Sequence, residues 1–240
     1  MAEEIVRKFR HELKYMISES EALILKQRFK GIMSLDKNAG ETGYLIRSLY
    51  YDDEKESAIM DKMAGTAARA KFRIRIYNYK DGFIMLERKA KQGQYIQKTS
   101  VSLTKEEYYK VYDKDYRFLL DRKEDLCKDF YFELVSNNLK PVVIVDYDRV
   151  PFVYEYGDVR VTFDENIRSA GATREIFSDR LDTCSVMPPQ TLILEVKFTE
   201  FLPQIIRDML DIRSSTYVSA SKYVMCLERR LENTMRKKAE

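Results

Sequence analysis

A chain of 240 residues, 45% of them hydrophobic and 12% aromatic, can bury a substantial core, which argues against a disordered protein. Its 42 basic residues stand against 39 acidic ones, a net charge of +3 that does not suit a general nucleic-acid coat. Cys127, Cys184 and Cys226 are widely spaced, which argues against a disulfide framework or a C-x-x-C zinc site and fits a reducing compartment.

In chain order, alternation first predicts a strand over 8–16. Ser18 is placed to cap a helix over "ESEALILKQRFKGIM". A strand over 43–51 follows, then alternating runs at 67–78 and 82–91 that read as a hairpin about Asp81-Gly82. A turn at Gln92-Gly93 leads into 94–103, so three consecutive strands form a meander. Thr104 and Glu107 make a capping box for "KEEYYKVY", and one long helix is expected through "FLLDRKEDLCKDFYFELVSNN". Strands at 141–150, 157–164 and 190–198, and helices in "LPQIIRDMLD" and "SKYVMCLERRLENTMRKKA", complete the set. With no Pro/Gly/Ser linker and no repeat, the expectation is one α+β domain over 1–240, built on a large antiparallel sheet. The N-terminus lacks a signal-peptide apolar region, and no apolar run approaches the roughly 20 residues that span a bilayer. A cytoplasmic location follows as the expectation, with no direct membrane insertion and any membrane association supplied by a partner protein.

The polar faces of these strands carry unusual charge. In "ARAKFRIRIY", Phe72, Ile74 and Ile76 alternate with Arg69, Lys71, Arg73 and Arg75. Four cations on one face repel each other unless something anionic sits among them. Glu12-x-Lys14, Glu87-x-Lys89 and Glu195-x-Lys197 recur on three separate strands with apolar opposite faces. Arg160, Thr162 and Asp164 share a face, Lys98 lies on the meander's last strand, and Arg149 ends "VVIVDYDR". For any single strand the ordinary account is a half-exposed sheet with a charged outer side. The joint pattern also fits the lumen of a closed or nearly closed barrel. Such a lumen must be wet, because a dozen uncompensated buried ions would exceed the stability of a domain. A majority of Arg and Lys suits a polyanion, and the minority Glu residues suit a divalent cation bridging to it.

The segments "FRHELKY", "SLYYDD", "KFRIRIY", "LERK", "RVTFD", "ILEVKF" and "SASKY" occur in an order and spacing that resemble the VTC (vacuolar transporter chaperone) domain. That family belongs to the CYTH-like, triphosphate tunnel metalloenzyme superfamily. The resemblance spans roughly 8–224 and implies an antiparallel eight-stranded β tunnel with flanking helices. It also implies Mn²⁺- or Mg²⁺-dependent chemistry on nucleoside triphosphates or polyphosphate. Position by position, Lys14 matches the first tunnel lysine, Arg73 and Arg75 the R-x-R pair, Lys89 and Lys98 two further lysines. Arg149 and Arg160 match tunnel arginines, Glu195 the metal-binding glutamate with Lys197 beside it, and Lys222 a phosphate-binding lysine. Arg10 stands where the wider superfamily opens with an acid, which favours the polymerase-like branch. Ser219 stands where some polymerases carry a basic residue.

The activity this implies is a polyphosphate polymerase, an ATP–polyphosphate phosphotransferase. Arg73, Arg75, Lys89 and Arg160 would act on the transferring phosphates, and Lys14, Lys98, Arg149, Lys197 and Lys222 would line the path of the chain. Glu195 would hold the metal, with Glu87 and Glu12 as weaker candidates. The alternatives are a triphosphatase of the same fold and a non-catalytic polyphosphate-binding module. No nucleic-acid partner is expected. His11 is alone and is taken as structural, the tyrosines of "YYKVY" as packing, and the terminal "RRLENTMRKKA" as a solvated helix face. There is no G-x-x-x-x-G-K-[ST], so ATP use would not involve a P-loop.

Overall fold

A computed structural model of the protein describes residues 10–57, 59–60, 64–66, 68–92, 95–210, 216–217 and 221–239. Among these, eight strands are nine residues or longer: β1 (Arg10–Ser18), β3 (Tyr44–Asp52), β4 (Ala68–Tyr77), β5 (Lys80–Gln92), β6 (Tyr95–Leu103), β7 (Lys140–Tyr154), β8 (Val159–Gly171) and β10 (Thr191–Thr199). Three two-residue strands accompany them: β2 (Ser34–Leu35), β9 (Cys184–Ser185) and β11 (Thr216–Tyr217). The helices are α1 (Glu19–Lys30), α2 (Lys105–Tyr112), α3 (Phe118–Asp121), α4 (Asp125–Ser136), α5 (Gln204–Met209) and α6 (Lys222–Ala239). Neighbouring strands β1–β10, β10–β8, β3–β4, β4–β5 and β5–β6 all pair antiparallel, so the fold is α+β as expected. Among the described residues no helix is long and apolar enough to cross a membrane.

The chain gathers into two compact units. The first comprises Met1–Tyr44, Tyr147–Ile167 and Met187–Ala220. Its strands run in the order β11-β1-β10-β8-β7, with β2 added to β7. Ser18 caps α1 in a full capping box with Glu21, which fixes where the chain leaves β1. Leu25 and Phe29 of α1 then cover the apolar faces of β8 and β10, where Val161, Phe163, Leu194 and Val196 are buried. His11 is exposed and stacks on Phe198 at 4.9 Å, a structural contact.

The second unit comprises Leu45–Asp146, Arg168–Val186 and Ser221–Glu240. Its strands β7-β3-β4-β5-β6 form a sheet whose apolar face meets α2, α3 and α4. Phe72 stacks on Phe130 at 5.3 Å and Tyr51 meets the same ring edge-on. Tyr108 of "YYKVY" is fully buried in that core. Each unit therefore spends one sheet face on a core and leaves the charged face for something else.

Three local expectations are corrected. The β4–β5 hairpin turns at Asn78-Tyr79, not at Asp81-Gly82, which lie inside β5. Both turn residues have φ near +50 to +60, as a two-residue hairpin of matching twist requires. Asn78 tolerates that conformation, and its side-chain oxygen accepts from the Leu45 N–H at 2.8 Å. The long helix is broken at Arg122, whose backbone is extended with ψ 144. Its guanidinium donates to Glu107 at 2.6 Å, to both oxygens of Glu124 and to the Ser102 carbonyl. The apolar period runs straight through the break, with Leu119, Leu126, Phe130 and Leu134 all buried, so alternation could not reveal it. Finally, β8 runs on past the expected 164 to Gly171, passing through Asn166 at φ 49. The expected turn at Gln92-Gly93 includes a position outside the described residues, as does Ser219.

Candidate functional site

In the second unit, antiparallel register places the odd-numbered residues of β4 beside those of β5, and these beside the even-numbered residues of β6. Three rows result: Lys71–Lys89–Lys98, Arg73–Glu87–Ser100 and Arg75–Met85–Ser102. They hold five cations and one acid. Glu87 is the anion that the sequence pattern called for. It is buried, accepts from Arg73 Nε at 2.6 Å, lies 3.7 Å from Arg75 and is ion-paired with Lys98. Burial alone would push its carboxyl up, but Arg75, Arg73 and Lys98 outweigh that and hold it at about 2. Lys98 is lowered, because burial and the two arginines outweigh its attraction to Glu87.

The adjoining strand β3 orients this face. Tyr50 pairs with Arg73 in register, and its hydroxyl accepts from the guanidinium at 2.7 Å. Ser48 pairs with Arg75 and accepts from its Nε at 3.2 Å. Lys222 opens α6 and is half-buried beside Tyr223. The Tyr223 hydroxyl donates to Asp52 at 2.5 Å.

In the first unit the rows run across β1, β10 and β8: Glu12–Lys197–Arg160, Lys14–Glu195–Thr162 and Met16–Ile193–Asp164. Here three cations meet three acids, and Arg149 joins from β7. Arg149 grips Asp164 with two bonds of 2.7 and 2.8 Å and stands 3.5 Å from Glu195. Burial disfavours the Arg149 cation, yet Asp164, Tyr147 and Glu195 more than offset this and raise its pKa. Lys14 lies 2.8 Å from Glu12 and 3.9 Å from Glu195, and Lys197 lies 3.0 Å from Glu195. Burial would lower the Lys14 ammonium, but Glu195 and Glu12 prevail and raise it. Arg160 donates to Asp36 at 2.7 Å from a more exposed position.

The structure therefore brings Arg73, Arg75, Lys89, Lys98 and Glu87 together on one face, and Lys14, Glu12, Arg149, Arg160, Glu195 and Lys197 together on another. Sequence reasoning missed Tyr50, Tyr223 and Asp52. The signal was there in "SLYYDD", where Ser48, Tyr50 and Asp52 fall on the side opposite Leu49 and Tyr51. It placed Thr162 on a face with Arg160 and Asp164 without giving it a role, and the buried Thr162 hydroxyl has no hydrogen-bond partner among the described residues.

Whether a divalent cation suits these residues can be judged from the donors. Among the described residues no three acidic, histidine or cysteine side chains gather into a ready-made cage. Mg²⁺ needs no such cage, since it keeps several waters and binds through one or two carboxylates plus substrate phosphates. Glu12 and Glu195 already share one cation, the Lys14 ammonium, and the unpartnered Thr162 hydroxyl stands opposite Glu195 in register. This oxygen set fits a hard divalent ion. Glu87 is engaged instead by two guanidinium groups and an ammonium.

Residues 9–230 match the model of the VTC domain. The chain belongs to the VTC domain family. No curated protein sequence matches it. Among solved structures it is similar to the PH1819 protein from Pyrococcus horikoshii OT3, at 14% identity and TM-score 0.48, covering 92% of this chain and 99% of that one. It is also similar to a putative adenylate cyclase from Bacillus halodurans, at 14% identity and TM-score 0.49, covering 88% of this chain and 92% of that one. Likenesses this distant carry no argument about activity.

Proposed function

We propose that this protein is a polyphosphate polymerase, transferring the terminal phosphoryl group of ATP to a growing phosphate chain. Family membership supports phosphotransfer of this kind. The observation that carries the reading is the cationic face of β4, β5 and β6, whose rows hold five cations and one acid, with Arg73, Arg75 and Lys98 meeting that acid. Three lysines side by side across adjacent strands repel one another, and a chain of phosphates laid along the rows turns that repulsion into binding.

In the reaction, a terminal oxygen of the chain attacks the γ-phosphorus of ATP. The bond from that phosphorus to the β–γ bridging oxygen breaks, and ADP leaves. Chemistry of this type depends on positioning and charge neutralisation more than on a covalent nucleophile. Arg73 and Arg75 offer guanidinium forks to the transferring phosphate, pre-aimed by Tyr50 and Ser48. Lys89 and Lys98 neutralise the neighbouring phosphates, Arg160 and Lys197 offer charge on the second face, and Lys222 a further cation beside Tyr223. Glu195 and Glu12 would hold Mn²⁺ or Mg²⁺, with Thr162 nearby, and Arg149 and Lys14 fix those carboxylates. The ion supplies charge neutralisation for the phosphate oxygens. Glu87, in this reading, spaces the arginines and keeps them folded in.

The test is to incubate the purified protein with ATP and Mn²⁺ and to separate the products. The expected result is phosphate chains much longer than triphosphate, with ADP in proportion to the phosphate incorporated. Free phosphate in proportion to ADP, without polymer, replaces the polymerase with a hydrolase. Binding without turnover under either metal leaves a polyphosphate-binding module.

A further inference from the structure

We infer that Tyr223, in the first turn of α6, is a positioning residue that sets the phosphate-binding cations of β4; this rests on the anion-binding role proposed for that face. Tyr223 is buried and touches the face in two ways. Its ring lies under the Lys71 ammonium, 4.6 Å from nitrogen to centroid. The same ring packs against Tyr50, with centroids 4.8 Å apart. Tyr50 in turn accepts from Arg73, and Arg73 donates to Glu87. At the other end, the Tyr223 hydroxyl donates to buried Asp52 at 2.5 Å. All four residues belong to one unit, and three elements meet in the chain Asp52–Tyr223–Tyr50–Arg73: β3, α6 and β4.

A guanidinium binds phosphate well only when its fork is held in the plane of approach. The Tyr50 hydroxyl and the Glu87 carboxylate both hold Arg73, and that hydroxyl belongs to a tyrosine whose ring would rock without the Tyr223 ring behind it. The Asp52 hydrogen bond locks Tyr223 in turn. Buried Asp52 is itself held in place, accepting from the Asp53 N–H at 3.0 Å through its other oxygen. Seating of α6 and the aim of Arg73 are thereby linked. Lys222, which precedes Tyr223, is delivered by the same seating.

Three variants test this through a double-mutant cycle. Tyr223→Phe keeps the ring and the Lys71 contact and removes only the bond to Asp52. Tripolyphosphate affinity, measured by calorimetry without metal, is expected to fall about tenfold, by analogy with the loss of one charge-assisted bond. In an Arg73→Ala background, adding Tyr223→Phe should change affinity by less than about twofold, since its target is gone. Asp52→Asn keeps an acceptor for the hydroxyl and should stay within about threefold of wild type. A full tenfold loss persisting in the Arg73→Ala background would assign Tyr223 a general structural role and overturn the inference. So would wild-type affinity in Tyr223→Phe. A wild-type protein that binds no tripolyphosphate overturns both the inference and the reading beneath it.

Discussion

The faces around Glu87 and Glu195 are built alike and charged differently. Each centres on a buried glutamate on a strand whose opposite side is core, and each glutamate is met by three cations. Around Glu87 the rows hold five cations and one acid, and a guanidinium hydrogen-bonds the carboxylate at 2.6 Å. Around Glu195 the rows are balanced, Arg149 is already committed to Asp164, and Lys197, Arg149 and Lys14 stand 3.0, 3.5 and 3.9 Å from the carboxylate. An excess of cations with the acid locked in place waits for an anion. A balanced site, with two carboxylates sharing the Lys14 ammonium and a spare hydroxyl beside them, can release a second ammonium, that of Lys197, in favour of a metal. The same E-x-K pattern thus serves two ends, and the neighbouring rows decide which.

The comparison breaks most sharply on the two isosteric substitutions. Glu195→Gln removes charge from the balanced face, and we expect Mn²⁺-dependent turnover to fall by about two orders of magnitude or more, as when a key electrostatic group is lost. The upward shift in melting temperature produced by Mn²⁺ should disappear with it. Glu87→Gln should keep the Mn²⁺ shift. Its loss appears in the fold: breaking a buried pair by removing one partner costs about 3 to 5 kcal/mol. Tripolyphosphate should recover part of that loss by supplying the missing negative charge. If Glu87→Gln abolishes the Mn²⁺ shift and Glu195→Gln leaves it intact, the assignments are reversed.

Acid should act on the two faces unequally. Glu87 titrates at about 2 in the folded protein, below its ordinary 4.5. A depressed carboxylate stabilises the fold above its unfolded pKa, and that contribution is lost as pH falls through the folded value. The gap corresponds to about 3 kcal/mol, lost between roughly pH 4.5 and 2. Melting temperature followed from pH 5 to pH 2.5 should drop less steeply in Glu87→Gln than in the wild type. Parallel curves would mean that Glu87 is not the carboxylate responsible.

Why the sequence revealed the strands so well and the site only in outline is a matter of period. Eight alternating runs became eight long strands because each buries one face, and burial imposes a period of two that any reader can count. The cations of β4 and the three E-x-K pairs were visible for the same reason. What alternation cannot supply is register. That Lys71, Lys89 and Lys98 form one row, or that Glu12 and Glu195 share Lys14, depends on which residues of distant strands stand opposite. Tyr223 and Asp52 lie 171 positions apart and carry no shared pattern at all. The Arg122 break and the Asn78-Tyr79 turn escaped because side-chain hydrogen bonds and left-handed φ values leave no trace in the spacing of apolar residues.

The smallest effects on stability give the finest separation. Lys98 and Lys197 are matched: their side chains are 48% and 42% exposed, and each is ion-paired with the buried glutamate of its face. Half-exposed pairs of this kind contribute roughly 0 to 1 kcal/mol, and each glutamate retains two other cations, so Lys98→Gln and Lys197→Gln should both melt within a few degrees of wild type. Ligand binding should then divide them. Lys98→Gln removes a cation from a face that is short of anions, and tripolyphosphate affinity without metal should fall several-fold. Lys197→Gln removes a cation that competes with metal for Glu195, and Mn²⁺ affinity, read from the free Mn²⁺ resonance signal during titration, should rise by a similar factor. Opposite signs from two nearly identical substitutions follow only if one face is an anion site and the other a cation site. Equal losses of both ligands in both variants would merge the two faces into a single general electrostatic surface.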